Sequence, residues 1–262
     1  MIGRDHVVAL ILVVSLTSAS AAAADQVPQH LAFAEQLFDQ LLPENNAYGH
    51  PTDVRLKNGS YPAFNHSVCS TFLVALLKKA DHYSDDVLQD WFKRPSIDTI
   101  TAADIYTAFA AGRGAAPVVA IGDVQPGDLV TLSYIAPEAV AGAEEVDDPQ
   151  SRNGSGHAPT GHLMIIDALP VKEEDKDSSS GYLGHSYDVS VLDCSRFPHG
   201  HGDSRTAAGA APTGLGRGTI RLLTGDHDQI IGYTWTTLHT SIIYLSDRHP
   251  LKVVRLTLDS HP

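Results

Sequence analysis

The chain has 262 residues, 43% of them hydrophobic and 19% charged, which is the composition of a globular protein with one sizeable core. The formal net charge is −13, and no basic stripe interrupts this acidic balance. These properties argue against nucleic acid or an anionic membrane surface as a partner.

The first 24 residues have the pattern of a secretory signal peptide. Arg4 precedes the apolar stretch VVALILVVSL, and the small residues TSASAAAA then lead to Asp25 with an A-x-A pattern. The apolar stretch is short for a membrane span. We therefore expect a cleaved signal and an exported protein, periplasmic or secreted, without an integral membrane segment; an uncleaved anchor is the alternative.

The next part of the chain has helical periodicity. QHLAFAEQLFDQLLP, from Gln29, carries one apolar stripe and stops at Pro43. A turn-rich connection follows, and VCSTFLVALLKK then has apolar residues at the spacing i, i+3, i+4, i+7 from Cys69, which predicts a helix capped by Asn65 or Ser67. SDDVLQDWFK and TAADIYTAFAA predict two short helices that begin at Ser or Thr caps.

The later part of the chain predicts strands. QPGDLVTLSYI, GHLMIIDAL, YDVSVLDCS, GTIRLLTG, QIIGYTWTTL and PLKVVRLTL are rich in β-branched residues and are bounded by turn residues. Helices followed by a run of strands indicate an α+β fold with an antiparallel sheet.

Two polar insertions interrupt the predicted strands, near residues 136–160 and 171–181, and AAGAAPTGLGRG is predicted to be a glycine-rich connection. The predicted organisation is a signal peptide over residues 1–24, an N-terminal helix and connection over residues 25–60, and one α+β domain over residues 61–262.

Cys69 is one of two cysteines and begins a predicted helix. The positive end of the helix dipole favours a thiolate, which a nucleophile needs. A buried cysteine that only packs in the core is the alternative at this position.

A nucleophilic thiol needs a base and a group that orients the base. His162 begins the strand GHLMIID, and Asp193 ends the apolar face formed by Val189 and Val191 on the next strand. Because side chains alternate along a strand, Asp193 can reach the His162 ring if the two strands are adjacent, whereas Asp167 points away from it.

The same alternation bears on a disulfide, which export favours. Cys194 follows Asp193 and is expected on the opposite face. If Asp193 faces Cys69 through His162, Cys194 points away from Cys69, so the triad and the disulfide exclude each other.

A metal site is a further alternative in FPHGHGDSR, where His199, His201 and Asp203 lie close in sequence. The glycines indicate a flexible turn, so we expect no metal. Arg196 and Arg205 flank this segment and are predicted to pair with Asp203 or with a substrate carboxylate.

The order VCSTFLVALL, QPGDLVTL, GHLMIID, VSVLDCSR resembles the NlpC-like, papain-fold cell-wall peptidases over roughly residues 61–196. The resemblance implies a papain-like fold in which the cysteine-bearing helix packs on an antiparallel sheet. It also implies Cys69 as nucleophile, His162 as base and Asp193 as orienting residue.

An exported cysteine hydrolase of this family is expected to cleave an amide bond of a peptidoglycan peptide through a thioester, without a cofactor. Tyr61 and Trp235 are candidates for lining the substrate cleft, and Arg196 for binding a substrate carboxylate. Packing in the core is the alternative for both aromatic residues.

Two positions depart from the family pattern. Val68 stands where the family usually has Asp, and Asp193 stands where it most often has His. They leave open a catalytically inactive, exported binding or scaffold domain of the same fold. A disulfide-stabilised protein without a reactive thiol is a third alternative.

Overall fold

The structure is a computed structural model that describes residues 27–134, 160–173, 184–207 and 209–257. Within these ranges the α-helices are α1 Gln29–Gln40, α2 Cys69–Lys79, α3 Asp85–Phe92 and α4 Ala102–Ala110. They lie in the predicted segments, which confirms the helical periodicity. The hydroxyls of Ser84 and Thr101 accept hydrogen bonds from the first turns of α3 and α4.

Strands make up most of the remaining regular structure. The described residues form β1 Asn46–Tyr48, β2 Asp53–Arg55, β3 Phe64–Ser67, β4 Ala115–Val118, β5 Leu129–Ser133, β6 Gly161–Ile166, β7 Val171–Lys172, β8 His185–Ser195, β9 Gly214–Thr224, β10 Ile230–Thr234, β11 Ile243–Leu245 and β12 Leu251–Leu256.

The strands form a small sheet and a large one. The small sheet has the order β1-β3-β2, with β1 parallel and β2 antiparallel to β3. The large sheet has the order β11-β10-β9-β8-β6-β5-β12-β4, with β7 also pairing with β8, and its pairings are antiparallel. The fold is therefore α+β with an antiparallel sheet, as predicted.

Two hydrophobic cores lie on opposite faces of the large sheet. The first contains the apolar side of α2 together with Leu163, Ile165 and Leu192. The second contains the alternate positions of the same strands, Met164 and Ile166 of β6 and Val189 and Val191 of β8. Each of these strands reads as an almost continuous apolar run because both of its faces are covered.

The segment before α2 differs from the prediction. Asn65 and Ser67, predicted as caps, lie in β3, and the N–H of Val68 donates instead to Thr71 Oγ1 at 3.2 Å. The strands β1 to β3 follow no clear alternating pattern, and their short length hid them among the turn residues. Residues on both sides of position 61 thus share one sheet.

Three other segments bear on the predicted organisation. β9 begins at Gly214, so the GLGRG segment lies in a strand rather than in the predicted connection. The insertion predicted near residues 171–181 begins with β7, and its remainder from residue 174 lies outside the described residues, as do the insertion at 136–159 and the signal segment 1–24. Among the described helices, none has the length and hydrophobicity that a membrane crossing requires.

Candidate active site

His162 and Asp193 meet on the face of the sheet that carries the second core. β6 pairs with β8 at Ile165↔Leu192 and Ile166↔Val191, and the same register continued would set Met164 opposite Asp193. His162 is then a diagonal neighbour of Asp193 on one face. His162 Nε2 lies 2.6 Å from Asp193 Oδ2, and both side chains are fully buried.

Arg205 holds the other oxygen of Asp193. Its Nη2 donates to Asp193 Oδ1 at 2.8 Å and to Asp203 Oδ2 at 2.6 Å, while its Nε donates to Asp203 Oδ1 at 2.8 Å. The predicted pairing of Arg205 with Asp203 is therefore present. One buried guanidinium thus joins two buried carboxylates, a fork geometry that only Arg supplies.

His199 and Trp235 enclose the opposite side of the pair. His199 Nε2 lies 3.2 Å from Asp193 Oδ2, an ion-pair distance without hydrogen-bond geometry, and Nδ1 lies 3.1 Å from the Trp235 carbonyl oxygen. The Trp235 ring packs against both imidazoles, with centroids 5.1 Å from His162 and 4.2 Å from His199. Trp235 is thus a wall of the cluster, and its predicted contact with substrate stays a prediction.

The surroundings set the charge states of the His162–Asp193 pair. Burial alone would raise the pKa of Asp193, but Arg205, His199 and His162 together hold that pKa well below its ordinary value. Burial lowers the pKa of His162, and Asp193 only partly offsets this effect. At neutral pH the pair is a carboxylate and a neutral imidazole.

These charge states determine the tautomer of His162. A carboxylate only accepts hydrogen bonds, so Nε2 of the neutral ring must carry the proton that is donated to Asp193. Nδ1 then has a free lone pair, and it is buried without a hydrogen-bond partner among the described residues. This atom has the properties of a general base.

Cys69 begins α2 and is only 6% exposed. Burial, with smaller contributions from Cys194 and Asp193, raises the pKa of its thiol to about 12, and backbone hydrogen bonding by Leu163 and Ser70 opposes the rise. The sulfur thus lies beside the backbone of the residue that follows His162. Since Nδ1 of His162 has no partner in the described ranges, Cys69 and His162 are not hydrogen-bonded to each other.

Both cysteines are free and buried. Asp193 and Cys194 do point to opposite faces, as the alternation predicted, but Cys194 lies in the same core as Cys69 rather than away from it. Asp193 and Cys194 nevertheless both lie close enough to Cys69 to raise the pKa of its thiol. Alternation along β8 therefore does not separate the two thiols.

Cys194 is held by the segment that precedes α2. Its sulfur donates to the Ser67 carbonyl oxygen at 3.0 Å and accepts from Ser67 Oγ at 3.4 Å and from Asn65 Nδ2 at 3.6 Å. Burial raises the pKa of Cys194 to about 11, although these side chains lower it in part. The thiol of Cys194 is therefore protonated at neutral pH.

Of the predicted substrate-binding residues, Tyr61 lies at the surface and Arg196 lies at the edge of the site. The Tyr61 side chain is 70% exposed at a surface turn, apart from the buried cluster. Tyr48 of β1 is the tyrosine that faces the site: burial raises its pKa, and Cys69 and Cys194 add to this effect. Arg196 lies 5.3 Å from the Tyr48 ring centroid, at the edge of the site.

The segment from His199 to Asp203 does not form the metal cluster considered above. Both oxygens of Asp203 bind Arg205, and His201 is exposed. His162, Asp193 and His199 do approach one another to within 4.8 Å. However, the 2.6 Å between His162 Nε2 and Asp193 Oδ2 is a hydrogen-bond distance, whereas two ligands of a tetrahedral zinc ion lie roughly 3.3 Å apart.

The link from Arg205 to Asp193 was missed at the level of sequence. A signal for it exists in the GLGRG segment of β9. A Cβ at Gly216 would lie 2.5 Å from Arg205 Nε, and one at Gly218 would lie 2.6 Å from Asp203 Oδ2. Glycine inside a strand often marks such a close approach, so these two positions make room for the Arg205–Asp203 pair.

Comparison with known proteins gives one similarity. The chain is 29% identical over 196 residues to an uncharacterised protein of Acanthamoeba polyphaga mimivirus, with 72% of this chain and 77% of that protein covered. No family profile matches the chain, and no solved structure matches it. The name of the mimivirus protein assigns it no activity, so a function has to be argued from the residues of this chain.

Proposed function

We propose that this protein is an exported cysteine amidohydrolase that cleaves an amide bond in cell-wall peptides. The observation that carries the proposal is the buried His162–Asp193 pair, whose side chains lie 2.6 Å apart. His162 Nδ1 has no hydrogen-bond partner among the described residues, and the backbone of the next residue, Leu163, hydrogen-bonds the Cys69 thiol. The export part rests on the signal-like pattern of residues 1–24.

The proposal includes an NlpC-like, papain-like arrangement of the elements. In support, α2 shares its core with Leu163 and Leu192, which lie on the two strands that carry His162 and Asp193. The chain order of cysteine, histidine and acid agrees with the resemblance described above. Cys69 also stands at the first residue of α2, where the backbone N–H groups have no intrahelical partner.

The proposed reaction begins with both groups neutral. His162 Nδ1 takes the Cys69 proton as the sulfur attacks the amide carbonyl, and backbone N–H groups at the start of α2 stabilise the oxyanion. His162 then gives the proton to the leaving amine as the C–N bond breaks and a thioester remains. Water hydrolyses the thioester, which releases the acid and restores the thiol.

The first step requires Cys69 and His162 to approach each other. Hydrogen bonds of catalytic groups are often long without substrate and shorten in the substrate complex. The step needs the Cys69 sulfur, which lies beside the Leu163 backbone, to reach His162 Nδ1 beyond the paired positions of β6 and β8. A substrate carbonyl that displaces water from the site strengthens the same interaction.

The test compares the two cysteines. Mature protein is incubated with purified peptidoglycan, and the soluble fragments are identified by mass spectrometry. We expect release by the wild type and by Cys194→Ser, and none by Cys69→Ala. Release of the same fragments by folded Cys69→Ala, or none by the wild type, would refute the proposal.

A binding or scaffold domain of the same fold is the second candidate. It is favoured by the burial of Cys69, the rise of its pKa to about 12 and the lack of a hydrogen bond to His162 in the described part of the chain. Alkylation by iodoacetamide near neutral pH, followed by peptide mapping, separates the two candidates. Faster labelling of Cys69 than of Cys194 favours the enzyme, and two equally unreactive thiols favour the binding domain.

A further inference from the structure

We propose that Arg205 is a positioning residue that keeps Asp193 ionised and thereby selects the His162 tautomer in which Nδ1 is free to act as a base. The inference rests on the proposed function for its consequence in catalysis. The tautomer itself is a property of the resting protein and can be measured without any substrate.

The first step of the argument is the connectivity of Arg205. Its guanidinium donates to Asp193 Oδ1 and to both oxygens of Asp203, and Nη1 also donates to the Gly214 carbonyl oxygen at 3.2 Å. The residue is only 5% exposed. A buried guanidinium bound on several sides has one orientation, so it holds the Asp193 carboxylate in one orientation as well.

The second step concerns the charge of Asp193. An isolated buried carboxyl group takes up a proton, because desolvation disfavours the anion. Burial acts in this direction on the pKa of Asp193, and the charge of Arg205 is the largest influence that opposes it. Loss of Arg205 therefore removes the main reason for Asp193 to stay ionised.

The third step links this charge to the tautomer. An ionised Asp193 can only accept, so it requires a proton on His162 Nε2. A protonated Asp193 can instead donate to Nε2, and the neutral ring then carries its proton on Nδ1. In that tautomer the atom that would take the Cys69 proton has no lone pair. Arg205 thus acts on His162 through two hydrogen bonds, one between Arg205 and Asp193 and one between Asp193 and His162.

Among the groups around the His162–Asp193 pair, Arg205 has the largest effect in keeping Asp193 ionised. The titratable and charged groups that face the pair are Cys69 of α2, Tyr48 of β1, Cys194 of β8, and His199, Asp203 and Arg205 of the segment after β8. Cys69 and Cys194 are neutral at pH 7, since burial raises the pKa of each thiol. His199 lies 3.2 Å from Asp193 and also helps to hold its pKa low, but the charge of Arg205 has the larger effect, and Arg205 donates directly.

The experiment measures the tautomer directly. Protein labelled with ¹⁵N-histidine is studied by NMR between pH 6.5 and 8, and the His162 signals are assigned by their loss in His162→Gln. The variants are Arg205→Gln, which removes the charge, and Arg205→Lys, which keeps the charge without the fork. Arg217→Gln is the matched control, because Arg217 pairs with Asp167 outside the cluster.

We expect a proton on Nε2 of His162 in the wild type and in Arg217→Gln, and a shift of the proton to Nδ1 in Arg205→Gln. Arg205→Lys should keep the wild-type tautomer in part. Hydrolysis, where the wild type shows it, should fall by about 10²-fold or more in Arg205→Gln, with the acid limb of its pH profile moved to higher pH. A residue with only a structural role would lower the melting temperature without changing the tautomer.

The inference is overturned if folded Arg205→Gln keeps the proton on Nε2. If that variant does not fold, Arg205→Lys decides in its place, and a proton that stays fully on Nε2 in Arg205→Lys overturns the inference. If the wild type hydrolyses no wall peptide but Arg205→Gln shows the tautomer change, only the proposed function is refuted. The reverse result, hydrolysis that needs Cys69 with an unchanged tautomer, refutes the role of Arg205 alone.

Discussion

The packing of Arg205 against β9 leads to a prediction for Gly216→Ala. The new Cβ would lie 2.5 Å from Arg205 Nε and 2.8 Å from its Cδ and Cζ. Because non-bonded heavy atoms prefer separations of about 3.5 Å, the buried Arg205 side chain must move by about 1 Å. Its bonds of 2.8 Å to Asp193 and 2.6 Å to Asp203 would then exceed normal hydrogen-bond lengths.

The expected cost is that of an overpacked core, about 1–3 kcal/mol in the free energy of unfolding. For a chain of this size, each kcal/mol lowers the melting temperature by roughly 2–4 °C. We therefore expect Gly216→Ala to lower the melting temperature by roughly 2–12 °C at pH 7. Circular dichroism during thermal unfolding measures it.

Two controls make this prediction specific to Arg205. Gly202→Ala lies in the same loop as Arg205, and its Cβ would meet nothing within 4 Å, so it should leave the melting temperature nearly unchanged. In an Arg205→Ala background the clash is absent, and Gly216→Ala should have little further effect. The reasoning fails if Gly216→Ala matches Gly202→Ala, or if its full effect persists in the Arg205→Ala background.

Three further predictions follow from the site. Burial lowers the pKa of His162 from 6.5, so below that pH the unfolded chain binds more protons than the folded chain. The free energy of unfolding should therefore fall with decreasing pH, by up to about 1.4 kcal/mol per pH unit. The fall should be less steep in His162→Gln. Equilibrium denaturation between pH 4.5 and 7.5 measures these slopes, and equal slopes would contradict the neutral state of His162. Thiol titration of the denatured, unreduced protein should find both cysteines free, and a result of no free thiol would support the disulfide. Tyr48→Phe should raise KM or lower kcat while Tyr61→Phe changes neither, since Tyr48 is near Cys69 and Tyr61 is 70% exposed; a larger kinetic effect of Tyr61→Phe would reverse this assignment.

The helices and the central strands were predictable from the sequence because their signals are local. The apolar spacing after Cys69 and the alternation around His162 and Asp193 need only the geometry of a single element. The side-by-side placement of His162 and Asp193 followed from alternation and from one assumption, that their strands are adjacent. The pairing of β6 with β8 meets that assumption.

Segments with weak local signals were not predictable. The strands β1 to β3 are three or four residues long, and their hydrogen bonds come from one another rather than from any pattern in their own residues. GLGRG resembled a loop because glycine weakens a strand. Of its glycines, Gly216 leaves room for the Arg205 side chain, and Gly218 leaves room for Asp203 and His199.

The sequence by itself determined which face of each strand His162, Asp193 and Cys194 occupy, because alternation is a property of the extended backbone. Only the tertiary structure decided that Cys194 shares a core with Cys69 and that Arg205 binds Asp193. The first depends on which face of the sheet α2 covers, and the second on the path of the loop after β8. Both result from packing between segments distant in sequence, which no local pattern contains.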